Sequence, residues 1–484
     1  MACEMVMFKK EDTMFKKLVS ALLVGALGVG MLVGCGSTTS QAPAGEEPAA
    51  EAEAPAEAEA EAAPEEAAEP AAEALADIPA GSVNLSLMLP LGQWTDNFND
   101  IIDAYKAENP EIGEITATFP SSDKYVDLLV SSLSAGELPN IIGMDYGIRR
   151  RDWWQYCEDL TVDTPAYELL TDEQIKLGTV SDGEYGMIML PIYMEGSGIL
   201  YNMRLLGEVG WDHTPQTRDE LGQLAADLQA AGITPFMHQW AESYLNLANW
   251  VGTTWLGDKE DHGISTLAAL LAGEDVDLAN DVEWNEFLDT YEQVLIPYAQ
   301  EGAISTDKWT CRNAFFAEEC AMLVGEGSWE TSNIQNANEA LLEYVKQDVL
   351  PISNDASKNN LQTSTICASV TKNDDPAVVH FAKDFLSYIV SSETARVWHQ
   401  EKMGNPTSIE SLEVSENLPK LPTDTLALIA EGKSAEDLYF SMPQEIYTDI
   451  EENWSRFVAG AATREEFTAR YEEIFKNLAN GFYD

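Results

Sequence analysis

Basic side chains are scarce in this 484-residue chain, with 27 Lys and Arg against 83 Asp and Glu and a formal net charge of −56. That shortage excludes a nucleic-acid binder, which needs a basic stripe to displace counterions. It also excludes docking on anionic lipid headgroups. Histidine is nearly missing, at five residues, so a His-rich metal or proton-shuttle site has little to draw on. No Cys-x-x-Cys pair occurs, which argues against a zinc or thioredoxin-type site. The chain also lacks a Gly-x-Ser-x-Gly elbow, a His-Glu-x-x-His helix, a Walker A loop and a Gly-x-Gly-x-x-Gly turn after a strand. The acidic stretch 275–281 has neither the Gly nor the terminal Glu of an EF-hand loop. No cofactor and no metal are expected. Paired carboxylates of a glycoside hydrolase stay open, because their test is a separation in space.

A hydrophobic run long enough to span a bilayer is also lacking. The longest, 18–33, has sixteen residues and is punctuated by Gly25, Gly28 and Gly30, short of the ~20 a spanning helix needs. With Met14, Lys16 and Lys17 before it and Leu32-Val33-Gly34-Cys35 at its end, it reads as an export signal. Its end resembles the lipobox of bacterial lipoproteins, where cleavage precedes a Cys that is then acylated, here Cys35. Residues before Met14 read as an upstream start. Residues 36–80 hold twelve acids, no Lys or Arg, and Pro43, Pro48, Pro55, Pro64 and Pro70 among Ala and Glu. Such a segment has too little apolar surface to fold, and self-repulsion extends it as a tether.

The remaining 404 residues keep 68 acids and 23 bases, so most of the acidity belongs to the folded part. They are enough to bury a substantial core without disulfides. Cys157, Cys311, Cys320 and Cys367 are either buried thiols or partly bridged. Strand and helix patterns alternate: an apolar run at 83–89, then Phe98, Ile101, Ile102 and Tyr105 at helical spacing, a strand at 114–119, a helix carrying Tyr125, Leu128, Leu129 and Leu133, and a strand at 140–145. That order argues for a parallel sheet with right-handed crossovers. Thr217-Arg218-Asp219-Glu220 reads as a capping box, Asp374-Asp375-Pro376 as another helix start, and Thr463-Arg464-Glu465-Glu466 leads into a last amphipathic helix.

Five segments resemble extracellular solute-binding proteins of carbohydrate uptake systems, the group that includes maltose-binding protein. They are Leu133 to Ile142, with its Gly136-Glu137-Leu138-Pro139-Asn140 turn; Asp182 to Asn202; Pro215 to Pro235; Phe315 to Trp329; and Phe381 to Glu393 with Gly404-Asn405-Pro406. Where the family has a Gly, this chain has Glu319, so a tighter or differently built turn is expected there. The resemblance implies an α/β, two-lobed periplasmic-binding-protein-like fold, each lobe a mostly parallel sheet flanked by helices, joined by hinge crossings. One lobe is expected to comprise 81–193 with about 349–395, the other 194–348 with about 396–484, behind 1–34 and the lipidated tether 35–80. It implies a monomer, tethered through Cys35 to the outer face of the cytoplasmic membrane, that hands a carbohydrate to the permease of an ABC importer. It implies no enzyme activity.

A sugar offers C–H patches on its faces and hydroxyls at its edge, so its receptor needs aromatic platforms and planar polar groups. Trp94 follows the first strand, and Asp145 ends the third beside Tyr146. Glu195 stands where the resemblance places a ligand carboxylate near the crossover. Of His238, Gln239 and Trp240, just past a second-lobe strand, one is expected to touch ligand. Trp329 closes the Gly-rich turn, where the family stacks an aromatic on the sugar. Arg149-Arg150-Arg151 reads as a solvated helix start. Trp153, Trp154, Trp250, Trp255, Trp284, Trp309, Trp398 and Trp454 read as packing. The alternatives are a receptor for another small polar solute, such as a polyol or amino sugar, and, more distantly, a secreted glycoside hydrolase.

Overall fold

The structure is a computed structural model that describes residues 78–90, 98–120, 122–144, 153–179, 186–241, 262–436 and 444–483. The chain divides into two units, Met1–Asp77 and Ile78–Asp484. The first, with the expected signal, Cys35 and tether, lies outside the described residues.

Nine strands make one mixed sheet: β1 (Val83–Met88), β2 (Ile112–Thr118), β3 (Ile141–Met144), β4 (Leu190–Asn202), β5 (Thr234–Met237), β6 (Cys320–Gly327), β7 (Val345–Asp348), β8 (Leu361–Val370) and β9 (Ser434–Glu436). Their order is β2-β1-β3-β8-β4-β6-β5, with β7 on β4 and β9 on β8. The β1–β2, β1–β3, β5–β6 and β8–β9 pairs are parallel, as the alternation of strand and helix predicts. Every antiparallel pair involves β4 or β8. The labelled helices are α1 (Phe98–Glu108), α2 (Ser122–Ala135), α3 (Arg218–Ala230), α4 (Val282–Thr290), α5 (Lys308–Phe316), α6 (Thr331–Asn338), α7 (Pro376–Ser391), α8 (Lys420–Ala430), α9 (Tyr447–Val458) and α10 (Arg464–Ala479).

Two large cores flank the sheet and define two lobes. One gathers β1, α1, the start of β4 and α7 around Phe98, Tyr105, Tyr193, Phe385 and Trp398. Met403 and Ile409 pack there too. The other gathers α3, α4, α9 and α10 around Trp284, Tyr291, Trp454 and Phe467, where Trp284 stacks on Phe467 at 5.7 Å between centroids. The expected indoles Trp153, Trp284, Trp398 and Trp454 are buried, whereas Trp250 and Trp255 lie outside the described residues.

Local expectations hold with physical corrections. Strand β2 begins at Ile112, two residues before the expected start, because Asn84 Oδ1 accepts from Glu114 N at 2.8 Å and bridges an irregular register. Leu128 was expected inward but is exposed, while Tyr125 and Leu129 fill the buried stripe of α2. Thr463 and Glu466 form both halves of a capping box. At Thr217 only one half forms, since Glu220 instead accepts from Gln216 N at 2.7 Å. The altered turn expected at Glu319 takes its left-handed residue one place earlier, at Glu318 (φ 61°). Its carboxylate is held there by Asn202, Arg204 and Tyr344. The four cysteines of the compact unit are buried thiols with no disulfide between them.

Strand β4 runs through both lobes. Leu190 to Ser197 pairs with β8, Ser197 to Tyr201 with β6, and Ile199 to Asn202 with β7. The change of partner needs close backbone approach. A Cβ on Gly327 would lie 1.8 Å from Gly196 O, and one on Gly198 2.3 Å from Asp348 O. Gln347 pins the crossing by donating from Nε2 to Gly196 O at 2.6 Å and accepting from Thr425 Oγ1 on α8 at 3.0 Å. Gly327→Ala is therefore expected to cost about 1–3 kcal/mol through forced displacement of β4. Urea unfolding of purified 78–484 measures it, and an unchanged midpoint would show that the approach is slack.

Candidate functional site

The crossing places one polar cluster beside the carboxyl ends of β5 and β6. Residues on β6 are buried throughout, and Glu326 is the acid among them. Its carboxylate is gripped by Arg312, on the buried face of α5, through Nε and Nη2 at 2.9 Å each. Burying both charges is tolerable because the contact is bidentate and the remaining acceptor capacity is used. That capacity goes to the Trp329 indole, whose Nε1 donates to Glu326 Oε2 at 2.8 Å. Trp329 itself is partly buried.

Fully buried Glu330 sits with Oε1 3.0 Å from Arg312 Nη2 and accepts from Asn333 Nδ2 at 3.1 Å. Burial and the neighbouring Glu326 push its carboxyl up, against the pull of Arg312. Glu195 reaches the same place from β4, where its backbone neighbour Gly196 meets Gly327. Burial drives the Glu195 carboxyl up to about 7, opposed by the Tyr193 hydroxyl that donates to it at 3.1 Å and reinforced by the Glu326 charge. One guanidinium thus faces two carboxylates, Glu326 and Glu330, and Glu195 feels the charge of Glu326.

A strap closes over the crossing. Pro406 O accepts from Met194 N at 3.0 Å, Thr407 bridges to Tyr193, and a Cβ on Gly404 (φ 73°) would lie 2.7 Å from Thr331. Between them Asn405 is 1% exposed, and neither end of its amide finds a partner among the described residues.

The residues named from the sequence are placed unevenly. Trp94 and Asp145 lie outside the described residues, as do Tyr146 and Arg149-Arg150-Arg151. Glu195 and Trp329 are brought together through Glu326. His238 and Trp240 stack on each other at 4.6 Å between centroids. Trp240 belongs to the second-lobe core, and burial depresses the His238 imidazole to about 3. Gln239, between them and therefore turned the other way, is 4% exposed with no partner for its amide among the described residues. Trp309, read as packing, is 50% exposed, and its ring lies 5.1 Å from Arg312 Cζ. Sequence reasoning also passed over Arg312, Glu326, Glu330 and Asn405. Glu326 and Asn405 stand inside quoted motifs without a role. Arg312 carried no signal, because its partners are 14 and 18 residues away across a helix-to-strand turn.

An α/β body of two lobes, crossed by shared strands and carrying a polar and aromatic cluster at the crossing, defines the class of two-lobed binding proteins. The chain belongs to the family described as bacterial extracellular solute-binding protein, whose model matches residues 92–396. No curated protein matches it by sequence. Similar solved structures include the solute-binding protein RafE in complex with raffinose, at 17% identity and TM-score 0.66 over 82% of this chain and 100% of that one. A chitin oligosaccharide binding protein matches at 17% identity and TM-score 0.67, over 83% and 100%. A sugar transporter from Bacillus licheniformis in complex with stachyose matches at 16% identity and TM-score 0.64, over 82% and 100%. At these identities the likeness is one of fold.

The raised carboxyls have a sign that can be measured. An unfolded Glu titrates near ~4.3, so between there and the raised values the folded chain holds protons that the unfolded chain releases. Their contribution to stability is present at acid pH and is lost as pH rises through that window. The melting temperature of ligand-free protein should fall between about pH 5 and pH 8, and less steeply in Glu195→Gln/Glu330→Gln. Equal slopes in the two proteins would refute the assignment.

Proposed function

We propose that this protein captures a sugar or oligosaccharide between its lobes and delivers it unchanged to an ABC importer. The observation that carries this is the Trp329–Glu326–Arg312 arrangement beside Glu195 at the lobe crossing: an aromatic face fixed by a buried ion pair, next to a carboxyl. Open α/β sheets bind ligands beyond the carboxyl ends of their strands, which is where this cluster sits. Trp329 offers the sugar face its platform, and Glu195 the hydroxyl edge its acceptor or, when protonated, its donor. Of the three residues after β5, Gln239 is the one that touches ligand, since the other two rings are spent on the core. Trp94 and Asp145, outside the described residues, stay candidates for ligand contact on the resemblance alone. Sugar ligands in the raffinose-bound and stachyose-bound structures of the same fold support the choice of carbohydrate.

Closure of the lobes about β4 and β8 on a bridging ligand is the signal the permease reads. The first lobe extends to Ile409, beyond the boundary near 396, because Trp398, Met403 and Ile409 pack in its core. Membership in an extracellular family supports export, with lipidation on Cys35 holding the protein at the outer face of the cytoplasmic membrane. Among the described residues no helix is long and apolar enough to cross a membrane.

Thermal shift across mono- and oligosaccharides tests the reading, because a ligand of the native state raises apparent stability by mass action. Saturable binding with the sugar recovered intact supports it, and product formation would convert the protein into a hydrolase. Trp329→Ala should weaken binding about tenfold, near the ~1.4 kcal/mol of one lost stacking contact, and should also lower the melting temperature, since buried Glu326 loses the indole hydrogen bond. Cys35→Ser, expressed in a bacterium that processes lipoproteins, should move the protein from the membrane fraction to the medium or periplasm. Retention in the membrane would remove the anchor from the proposal.

A further inference from the structure

Burying an ion pair is expensive, and well-packed apolar side chains in its place often leave a fold equally stable or more so. Arg312 and Glu326 are such a pair, so stability alone does not account for them. Three hydrogen bonds converge on the Glu326 carboxylate: two from the guanidinium at 2.9 Å each, and one from the Trp329 indole at 2.8 Å. The same guanidinium lies 3.0 Å from Glu330, the residue directly after Trp329. Arg312 thus ties α5 to both flanks of Trp329. Glu326 itself is 0% exposed, so it meets no ligand directly.

The chain around Trp329 gives its ring little other support. Gly325, in the strand before it, has a left-handed φ of 80°, and Gly327 carries no side chain to lean on. A Cβ on Gly327 would lie 3.0 Å from Trp329 Cζ3, so the six-membered edge of the indole runs over bare backbone. The opposite, Nε1 edge is held by Glu326. A ring fixed at both edges meets its ligand already oriented, and the ordering that a loose side chain would lose on binding is spent in folding.

We infer that Arg312 and Glu326 are positioning residues that orient Trp329 through its indole N–H, so that capture depends on that N–H as well as on an aromatic ring at this position. This rests on the carbohydrate reading above and names the residues that prepare its platform.

The test is titration calorimetry of the intact protein with raffinose, stachyose, maltotriose and chitotriose, comparing Trp329→Phe, Trp329→Ala, Arg312→Met and Glu326→Gln. Trp329→Phe keeps a ring and removes the donor, and is expected to lose about fivefold in affinity, most of the loss in Trp329→Ala. Arg312→Met should lose a similar factor, and add nothing in a protein already carrying Trp329→Ala. Glu326→Gln keeps a carbonyl for the indole and should stay within about twofold of wild type, at a lower melting temperature. A second readout needs no sugar. In protein labelled with ¹⁵N at its indoles, the Trp329 N–H resonance, assigned by its loss in Trp329→Phe, should move in Arg312→Met. Wild-type affinity in Trp329→Phe, or an unmoved Trp329 resonance in Arg312→Met, overturns the positioning role and leaves the carbohydrate reading intact. A wild-type protein silent to all four sugars overturns the carbohydrate reading, and the resonance alone then decides whether Arg312 holds the indole.

Discussion

The close approach of β4 to β6 governs this molecule. Gly196 and Gly327 come so near that no side chain fits between them, and Gly198 meets the backbone of Asp348 in the same way. That proximity lets one strand exchange β8 for β6 and β7 as partners within the same sheet and so pass from the first lobe into the second. It also brings Glu195, carried by β4, to Glu326, carried by β6. The lobe junction and the polar cluster are therefore one construction, so any ligand held by the cluster is placed at the junction. Gln347 on β7, held by Thr425 on α8, fastens the crossing, and the 404–407 strap adds a hydrogen bond from Met194 N to Pro406 O.

Burying charge at such a point has a cost that the local chemistry offsets unevenly. Arg312 and Glu326 satisfy each other through two parallel hydrogen bonds, and the spare lone pair of Glu326 takes the indole proton of Trp329. Glu330 and Glu195 are left with less compensation, and burial answers by raising their affinity for protons. Both carboxyls therefore take up protons more readily than an exposed Glu, and Glu195 changes charge close to neutral pH.

Much of the fold was legible because its signals are local. Alternating burial in β1, the stripe Phe98, Ile101, Ile102 and Tyr105 in α1, and the cap at Thr463 each depend on neighbours a few residues away. The same holds for Trp329, which follows a glycine-rich strand end. Local pattern misled where a distant partner decided the outcome. Glu220 turned to Gln216 rather than closing its box, and Glu318 took a left-handed conformation because Asn202, Arg204 and Tyr344 converge on it from elsewhere in the chain. Trp309 was read as packing but is 50% exposed, with its ring 5.1 Å from Arg312 Cζ.

The sequence by itself determined the division into an acidic, proline-broken leader and a folded α/β body, the family, and the places of Glu195 and Trp329. Composition and short-range periodicity are enough for the division and the α/β alternation, whereas the family and the candidacy of Glu195 and Trp329 rest on resemblance to that family's motifs. Only the tertiary structure decided which acid meets Arg312, that His238 stacks on Trp240 while the buried Gln239 amide finds no partner among the described residues, and that Asn405 lies against the crossing. Those outcomes depend on which strands become neighbours in the sheet. Pairing β4 with both β6 and β8 joins residues more than a hundred positions apart, a choice set by the packing of the whole chain.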